Sequence, residues 1–309
     1  MFRRMDPKIV CITTASLLNT TDTDGLFKGY LDKFDLIICD EASQVPEPVF
    51  MAMAARIPRA RHIYIGDIHQ LEPYARSSRL SNPARLGAQS IMNVLQRARA
   101  VPMRSLITTF RAHPALIDLP NTLCYEGSLV SGVTAADRHQ LLDIMDFPNP
   151  HLPFMFVDVN GTSVQSASHS HYNEREKMVC EFLVTTLVRK GVAPSDIVVI
   201  TFYKDQYRRL EEFVTRVGVN LSTVDTVQGR EKNVVIVLTT KTHFNPEGAE
   251  FLGDPRRMNV ALTRCRHGQF LLGHQESLEK VPFWRMALEW ARNQNAIVPS
   301  TSLGRYLRA

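Results

Sequence analysis

The stretch "DLIICDEASQVPEP", residues 35–48, is an apolar run that ends abruptly in two adjacent carboxylates and a Ser-Gln pair. Leu36 to Cys39 is continuous, β-rich and bounded by charge, which predicts a buried strand of a parallel sheet rather than a half-exposed one. Asp40 and Glu41 then stand at its carboxyl end, the edge at which open α/β sheets bind ligands. Under a second reading Asp40 or Ser43 simply caps the helix suggested by "EPVFMAMAARI", with Pro48 in its first turn.

At 309 residues the chain is long enough for two ordinary cores, and its 44% hydrophobic and 22% charged residues are those of a soluble globular protein. Lys and Arg number 36 against 31 acids, a net charge of +5 that suits an anionic partner. The five cysteines are scattered, form no C-x-x-C pair and fall mostly in apolar runs, as buried thiols in a reducing compartment do. His169 and His171 form an H-x-H in a polar segment with no matching ligands, which reads as a loop and not a metal site. "MFRRMDPKIV" is too poor in apolar residues for a signal peptide and no run reaches membrane-span length, so a cytoplasmic or nuclear location without membrane attachment is expected.

Strand-like runs recur at "KIVCITT", "DLIICDE", "RHIYIGD", "SLITTF", "FMFVDV", "DIVVITFY", "NVVIVLTT" and "GQFLLG". Helical periodicity separates them, most clearly over Asn173 to Arg189, Lys204 to Arg216, Met258 to Cys265 and Phe283 to Asn293. This alternation predicts an α/β fold of βα units with parallel sheets. Val101 and Pro102 interrupt the pattern, which places a boundary between lobes 1–103 and 104–309. Tyr125 to His151, rich in Gly, Asp and Pro, reads as a long irregular surface connection.

Further polar groups recur at predicted strand ends. "IYIGDIHQLEP" ends a strand in Gly66-Asp67, with Gln70 and Pro73 beyond, and "SLITTFRAHPALI" sets Phe110 and Arg111 after another. "TVDTVQGREKNVVIVLTT" places Gln228, Gly229, Arg230 and Glu231 before a strand, and "DPRRMNVALTRCR" reads as a helix carrying Arg264. In this order and spacing, from about Lys8 to about Trp290, the motifs resemble those of superfamily 1 helicases, and "CYEGSLVSGVTAADR" points to the up-frameshift branch that serves nonsense-mediated decay.

The resemblance implies two RecA-like lobes, the first incomplete, and ATP with Mg²⁺ as the nucleotide pair. It makes Asp40 and Glu41 the Walker B pair. Asp40 would hold Mg²⁺ as a hard carboxylate holds a hard cation, and Glu41 would orient and deprotonate the attacking water. Gln70 would sense the γ-phosphate. Arg111 and Arg264 would reach across a cleft between the lobes to neutralise its developing charge. Phe110 occupies the place of an adenine-stacking tyrosine and keeps the aromatic face. Glu231 would accept from the ribose, and Gly229 would allow close backbone approach. Thr13, Thr14 and Thr226 would touch nucleic-acid phosphates, although Thr pairs at strand ends also arise from β propensity, and Asp225 and Thr226 also fit strand-end structure. The implied partners are single-stranded nucleic acid, RNA favoured over DNA, and RNA-decay proteins, with the chain a monomer.

The sequence also departs from the family in its phosphate-binding element. It contains no G-x-x-x-x-G-K-[ST], and no Lys is preceded by Gly. Two accounts fit. In one the sequence is a fragment of an active helicase; in the other it is a nucleic-acid-binding or partner-regulatory protein that has lost its ATPase. Retention of Asp40, Glu41, Gln70, Arg111 and Arg264 together favours the first. A hydrolase of another class using the acids directly lacks a nucleophile elbow, since no G-x-S-x-G occurs.

Overall fold

The computed structural model describes residues 6–75, 81–249 and 251–307. The chain divides into two compact units, one ending at Arg104 and the other beginning at Ser105. The division follows the Val101-Pro102 interruption, and Val101 to Thr108 are exposed.

In the first unit the strands Leu36–Cys39 and Arg61–Tyr64 pair in parallel, Leu36 opposite Arg61 and Cys39 opposite Tyr64. The helix Glu47–Arg56 connects them, with Glu47 in its first turn and Arg56 in its last, the polarity its dipole favours. Met53 and Ile57 from its end pack with Leu17 and Leu31, while Cys39, Ala42, Val45 and Ile91 form a second small cluster. The expectation of a fully buried strand is corrected here. Leu36 is 38% and Ile38 60% exposed, because successive side chains of a strand point to opposite faces and helices of this unit cover only one.

"KIVCITT" also differs from expectation. It carries no strand, and Thr14–Thr20 is a helix whose start is capped by the Thr13 hydroxyl, accepting from the Ser16 amide at 3.1 Å. A threonine at such a position satisfies a helix-end amide that a lone extended segment leaves unpaired. Cys11, on the stretch before it, is exposed, whereas Cys39, Cys180 and Cys265 are buried as expected.

The second unit holds a six-stranded, all-parallel sheet in the order Ile297–Pro299, Phe154–Asp158, Cys265–Gly273, Lys232–Leu238, Ile197–Thr201, Asn220–Thr223. The chain is α/β with parallel sheets, as the RecA-like class requires. Val234 to Leu238 and Ile197 to Ile200 are buried throughout, since helices lie on both faces. Those helices are Glu174–Arg189, capped by Asn173, Lys204–Val217, ended by Gly218 at φ +82°, and Pro282–Asn293.

Three readings are revised in this unit. The helix expected over Met258 to Cys265 runs from Pro255 to Leu262, because Asp254 accepts from the Arg256 amide at 2.9 Å and moves the start back, while Cys265 is claimed by the sheet opposite Lys232. Arg264 therefore lies in the turn after the helix. "SLITTF" contributes only Thr108–Thr109, paired with Val130–Ser131. The span from Tyr125 to His151 is not irregular surface: it holds the helix Gln140–Ile144 and buries Leu141, Met145 and Phe147 in the main core. A Cβ on Gly268 would meet the Leu141 Cδ1 at 2.3 Å, so the glycine makes room for that leucine. His169 and His171 belong to a small hairpin, Val164–Gln165 against His171–Tyr172. Among the described residues no helix is long and apolar enough to cross a membrane.

Candidate functional site

In the first unit the acid pair leaves the Leu36–Cys39 strand through a tight connection. The Ile65 amide donates to the Cys39 carbonyl at 2.9 Å and the Ala42 amide to the Ile65 carbonyl at 2.8 Å, so Gly66 and Asp67 emerge beside Asp40 and Glu41. A Cβ on Gly66 would lie 2.8 Å from the Ser43 amide nitrogen, which only glycine avoids. Asp40 is exposed, and its carboxylate accepts from the Glu41 amide at 2.9 Å. Neither Asp40 nor Ser43 caps the following helix, whose N-cap is Pro46, so the capping reading is corrected. Glu41 sits at φ +50°, a left-handed conformation that costs a non-glycine residue of the order of 1–3 kcal/mol. Gln70 is drawn to this edge by its own turn: its amide Nε2 donates to Asp67 at 2.9 Å, and the Asp67 carboxylate also accepts from the His69 amide at 2.9 Å.

Thr13 and Thr14 lie at the start of the first helix, where the Thr13 hydroxyl is engaged in capping. In the second unit the Thr226 hydroxyl accepts from the Thr223 amide at 3.0 Å and donates to the Thr223 carbonyl at 3.1 Å, closing the turn after the Asn220–Thr223 strand. Asp225 beside it accepts from Arg257 at 2.9 Å.

The second unit brings Phe110, Arg111, Glu231 and Arg264 together. Arg111 donates through Nε to Glu231 and through Nη1 to the Thr263 carbonyl at 2.8 Å. Arg266 holds the other carboxylate oxygen of Glu231 through Nε at 3.0 Å and through Nη2. Burial alone would raise the Glu231 carboxyl, but the hydrogen bonds and charges of Arg266 and Arg111 outweigh it and hold it below its usual range. Arg264 is 1% exposed; its Nε donates to the Val260 carbonyl at 3.0 Å and its Nη2 to the Thr263 hydroxyl at 2.8 Å. Glu231, Arg230 and Arg264 line one small cavity with Lys232 and Ser222. Gly229, at φ +74°, allows the turn that delivers Glu231.

Phe110 is 65% exposed and its ring lies over Gly132, where a Cβ would approach it to 2.3 Å. Two arginines outside the sequence-derived set complete the cluster. Arg138 donates to the Arg111 carbonyl at 2.7 Å and to the Phe110 carbonyl at 2.9 Å, fixing the backbone that presents both side chains. Arg266 stood two residues beyond Arg264 in "TRCR", and that period-two spacing is the signal that marks it; Arg138 carried none. His113 caps the helix Pro114–Cys124 by accepting from the Ala115 amide at 3.2 Å. Burial, followed by the charges of His139 and His267, lowers its pKa to about 4, which keeps the ring neutral and able to accept.

Residues 88–276 match the AAA domain family. Curated relatives include the regulator of nonsense transcripts 1 homolog of Arabidopsis thaliana, 32% identical over 86% of this chain and 22% of that protein. The ATP-dependent helicase NAM7 of Saccharomyces cerevisiae is 32% identical over 95% of this chain and 31% of its own length. A distant structural likeness is the Arterivirus nonstructural protein 10 helicase, with a TM-score of 0.40 at 17% identity over 79% of this chain and 40% of that one. The chain thus spans less than a third of the length of the two curated relatives. A match over more than half of its residues, together with this identity over most of the remainder, places the chain in the AAA domain family, among the up-frameshift-like superfamily 1 helicases.

Proposed function

We infer that the chain is part of an ATP-dependent helicase motor that moves along single-stranded nucleic acid, RNA in preference to DNA. The reading is carried by the acid pair: two carboxylates end a parallel strand at the ligand-binding edge, neither side chain caps the helix Glu47–Arg56, and Glu41 is held in a left-handed conformation. Glu41 orients and deprotonates the attacking water, and Gln70, tied to Asp67, reads the γ-phosphate. Asp40 fits Mg²⁺, being an exposed carboxylate of the kind that ion takes in ones and twos alongside phosphate oxygens. The ion, when bound, neutralises charge on the β- and γ-oxygens.

Phe110 stacks the adenine on its exposed face, and Arg111 and Arg264 supply positive charge to the transferring phosphate. Arg111 is pre-aimed by Glu231, so Glu231 acts first as a positioning residue, and contact with the ribose is secondary. Thr13, Thr14 and Thr226 are assigned to nucleic-acid phosphates on their motif positions alone. These 309 residues contain no G-x-x-x-x-G-K-[ST], so little ATP turnover is expected of the chain by itself. Family membership supports RNA-decay proteins as partners and the cytoplasm as the place of action; we propose both, with the chain a monomer.

Fluorescence anisotropy with poly-U and mixed-sequence RNA tests the nucleic-acid half of the reading. Similar affinities that weaken between low and physiological salt are expected, as phosphate contacts dictate. Absence of binding, or a salt-insensitive preference for one sequence, favours the partner-regulatory alternative.

A further inference from the structure

The helix Glu174–Arg189 lies in the crossover between the parallel strands Phe154–Asp158 and Ile197–Thr201, so it runs back from their carboxyl edge toward their amino edge along one face of the sheet. Its inward side, with Val179, Cys180, Leu183, Val184 and Leu187, is buried in the main core. Its outward side carries a different stripe. Arg175, Met178, Phe182 and Arg189 follow at spacings of three, four and seven, which return each to the same side of a helix, and Met178 is 55% and Phe182 49% exposed. Single exposed apolar side chains are ordinary. A methionine and a phenylalanine one turn apart make a contiguous patch, and both are side chains enriched where proteins meet.

The carboxylates beside this stripe are already committed. Glu174 pairs with Arg209 at 2.9 Å and with Lys177 at 3.7 Å, and Lys177 also pairs with Glu181 at 3.4 Å. The guanidinium groups of Arg175 and Arg189, both exposed, make no hydrogen bond or ion pair among the described residues. Arg175 is also held in place, since its stem packs on Gly161, where a Cβ would meet the Arg175 Cβ at 2.6 Å. At about 1.5 Å of rise per residue, the two cations bracket the apolar pair over about 21 Å.

A cation at each end and an apolar middle select the guest. A purely apolar partner leaves both guanidinium groups desolvated and unpaired, and a nucleic-acid strand sets charged phosphates along the apolar centre as well as the ends. A helix with apolar residues at three- and four-residue spacing and carboxylates in its end turns satisfies all four side chains. The chain's surplus of five positive charges favours an acidic partner too. We propose that this flank of the second unit docks an acidic amphipathic helix of a partner protein, its apolar stripe on Met178 and Phe182 and its end carboxylates on Arg175 and Arg189. The surface runs down the helix layer rather than across the strand ends, and the assignment does not depend on the helicase reading.

The test titrates the full chain into a fluorescent helical peptide of about four turns, with leucines along one stripe and glutamates in its first and last turns, followed by anisotropy. Saturable binding is expected, about tenfold weaker with Phe182→Ser and about threefold weaker with Arg175→Glu or Arg189→Glu. A peptide with lysines in place of the glutamates should bind the natural chain poorly and regain affinity for the chain carrying both Arg175→Glu and Arg189→Glu, a swap that loss of structure does not produce. Should Phe182→Ser fail to fold, that swap decides the matter. No binding, or binding that none of these variants alters, overturns the surface. Displacement of the peptide by oligo-uridine would give the arginines to phosphate, and a concentration-dependent dimer abolished by Phe182→Ser would give the stripe to a second copy of the chain; either result overturns the acidic helix.

Discussion

Two apolar strands of nearly equal hydrophobicity behave oppositely in this molecule. "VVIVL", Val234 to Leu238, is buried completely, whereas Leu36 and Ile38 of "LIIC", with Ile63 and Ile65 beside them, remain 38–60% exposed. The difference lies in the layers. A strand with neighbours on both sides and helices on both faces loses all its water, while a strand in a two-stranded sheet covered on one face keeps half of it. Hydrophobicity marks a strand; the number of neighbours sets its burial and its contribution to stability.

The sharpest way to break this comparison is a matched pair of truncations. Ile236→Ala, at 0% exposure, is expected to cost about 2–5 kcal/mol, and Ile38→Ala, at 60% exposure, under about 1 kcal/mol. Both tryptophans, Trp284 and Trp290, lie in the second unit. Urea unfolding followed by their fluorescence should therefore shift for Ile236→Ala and stay put for Ile38→Ala. Equal shifts would show that the two sheets do not differ in this way.

The next effect concerns Glu176, a carboxyl buried in the second unit. Burial raises the Glu176 pKa to about 8, partly opposed by hydrogen bonds from the Thr240 amide and hydroxyl, both at 2.9 Å. Its folded pKa lies above its unfolded value of 4.5, so between these values the unfolded chain has released a proton that the folded chain keeps. The carboxyl therefore makes stability fall as pH rises through this window and level off above it. At about 1.4 kcal/mol per unit the fall is a few kcal/mol, of the order of a core truncation. Glu176→Gln is expected to flatten stability between pH 5 and 8; an unchanged slope would place the titration elsewhere.

Much of this architecture is legible in the residues, and what is not has physical causes. The runs "DIVVITFY" and "NVVIVLTT" announce central strands because nothing polar interrupts them. "KIVCITT" misleads because a threonine at its end caps a helix, a local hydrogen bond that periodicity does not register. Arg264 was identified but placed on the helix, since the sheet register that claims Cys265 is a long-range pairing. Arg138 was invisible because it acts on backbone carbonyls 27 and 28 residues away.

A smaller effect tests the polar cluster at the second unit's edge. Glu231→Gln leaves Arg111 and Arg266 facing one another and is expected to cost about 1–2 kcal/mol above pH 5, since a carboxyl held below its usual range stabilises above its unfolded pKa and loses that as pH falls. The check is the fluorescence-monitored midpoint from pH 7 downward, where the gap between the two proteins should narrow progressively once the pH falls below 4.5. Smallest of all, Thr13→Ala removes a helix cap of the first unit at about 1 kcal/mol, read by circular dichroism with the tryptophan transition unmoved.

The acid pair at the end of the exposed strand carries the functional reading, and one measurement addresses it directly. With a G-x-x-x-x-G-K-[ST] segment supplied to the chain by fusion, RNA-stimulated phosphate release is compared between the natural residue and Glu41→Gln. The account requires the rate to fall by about 10²–10⁴-fold while nucleotide and RNA affinities hold, the signature of a lost general base. Turnover unchanged by Glu41→Gln would contradict it.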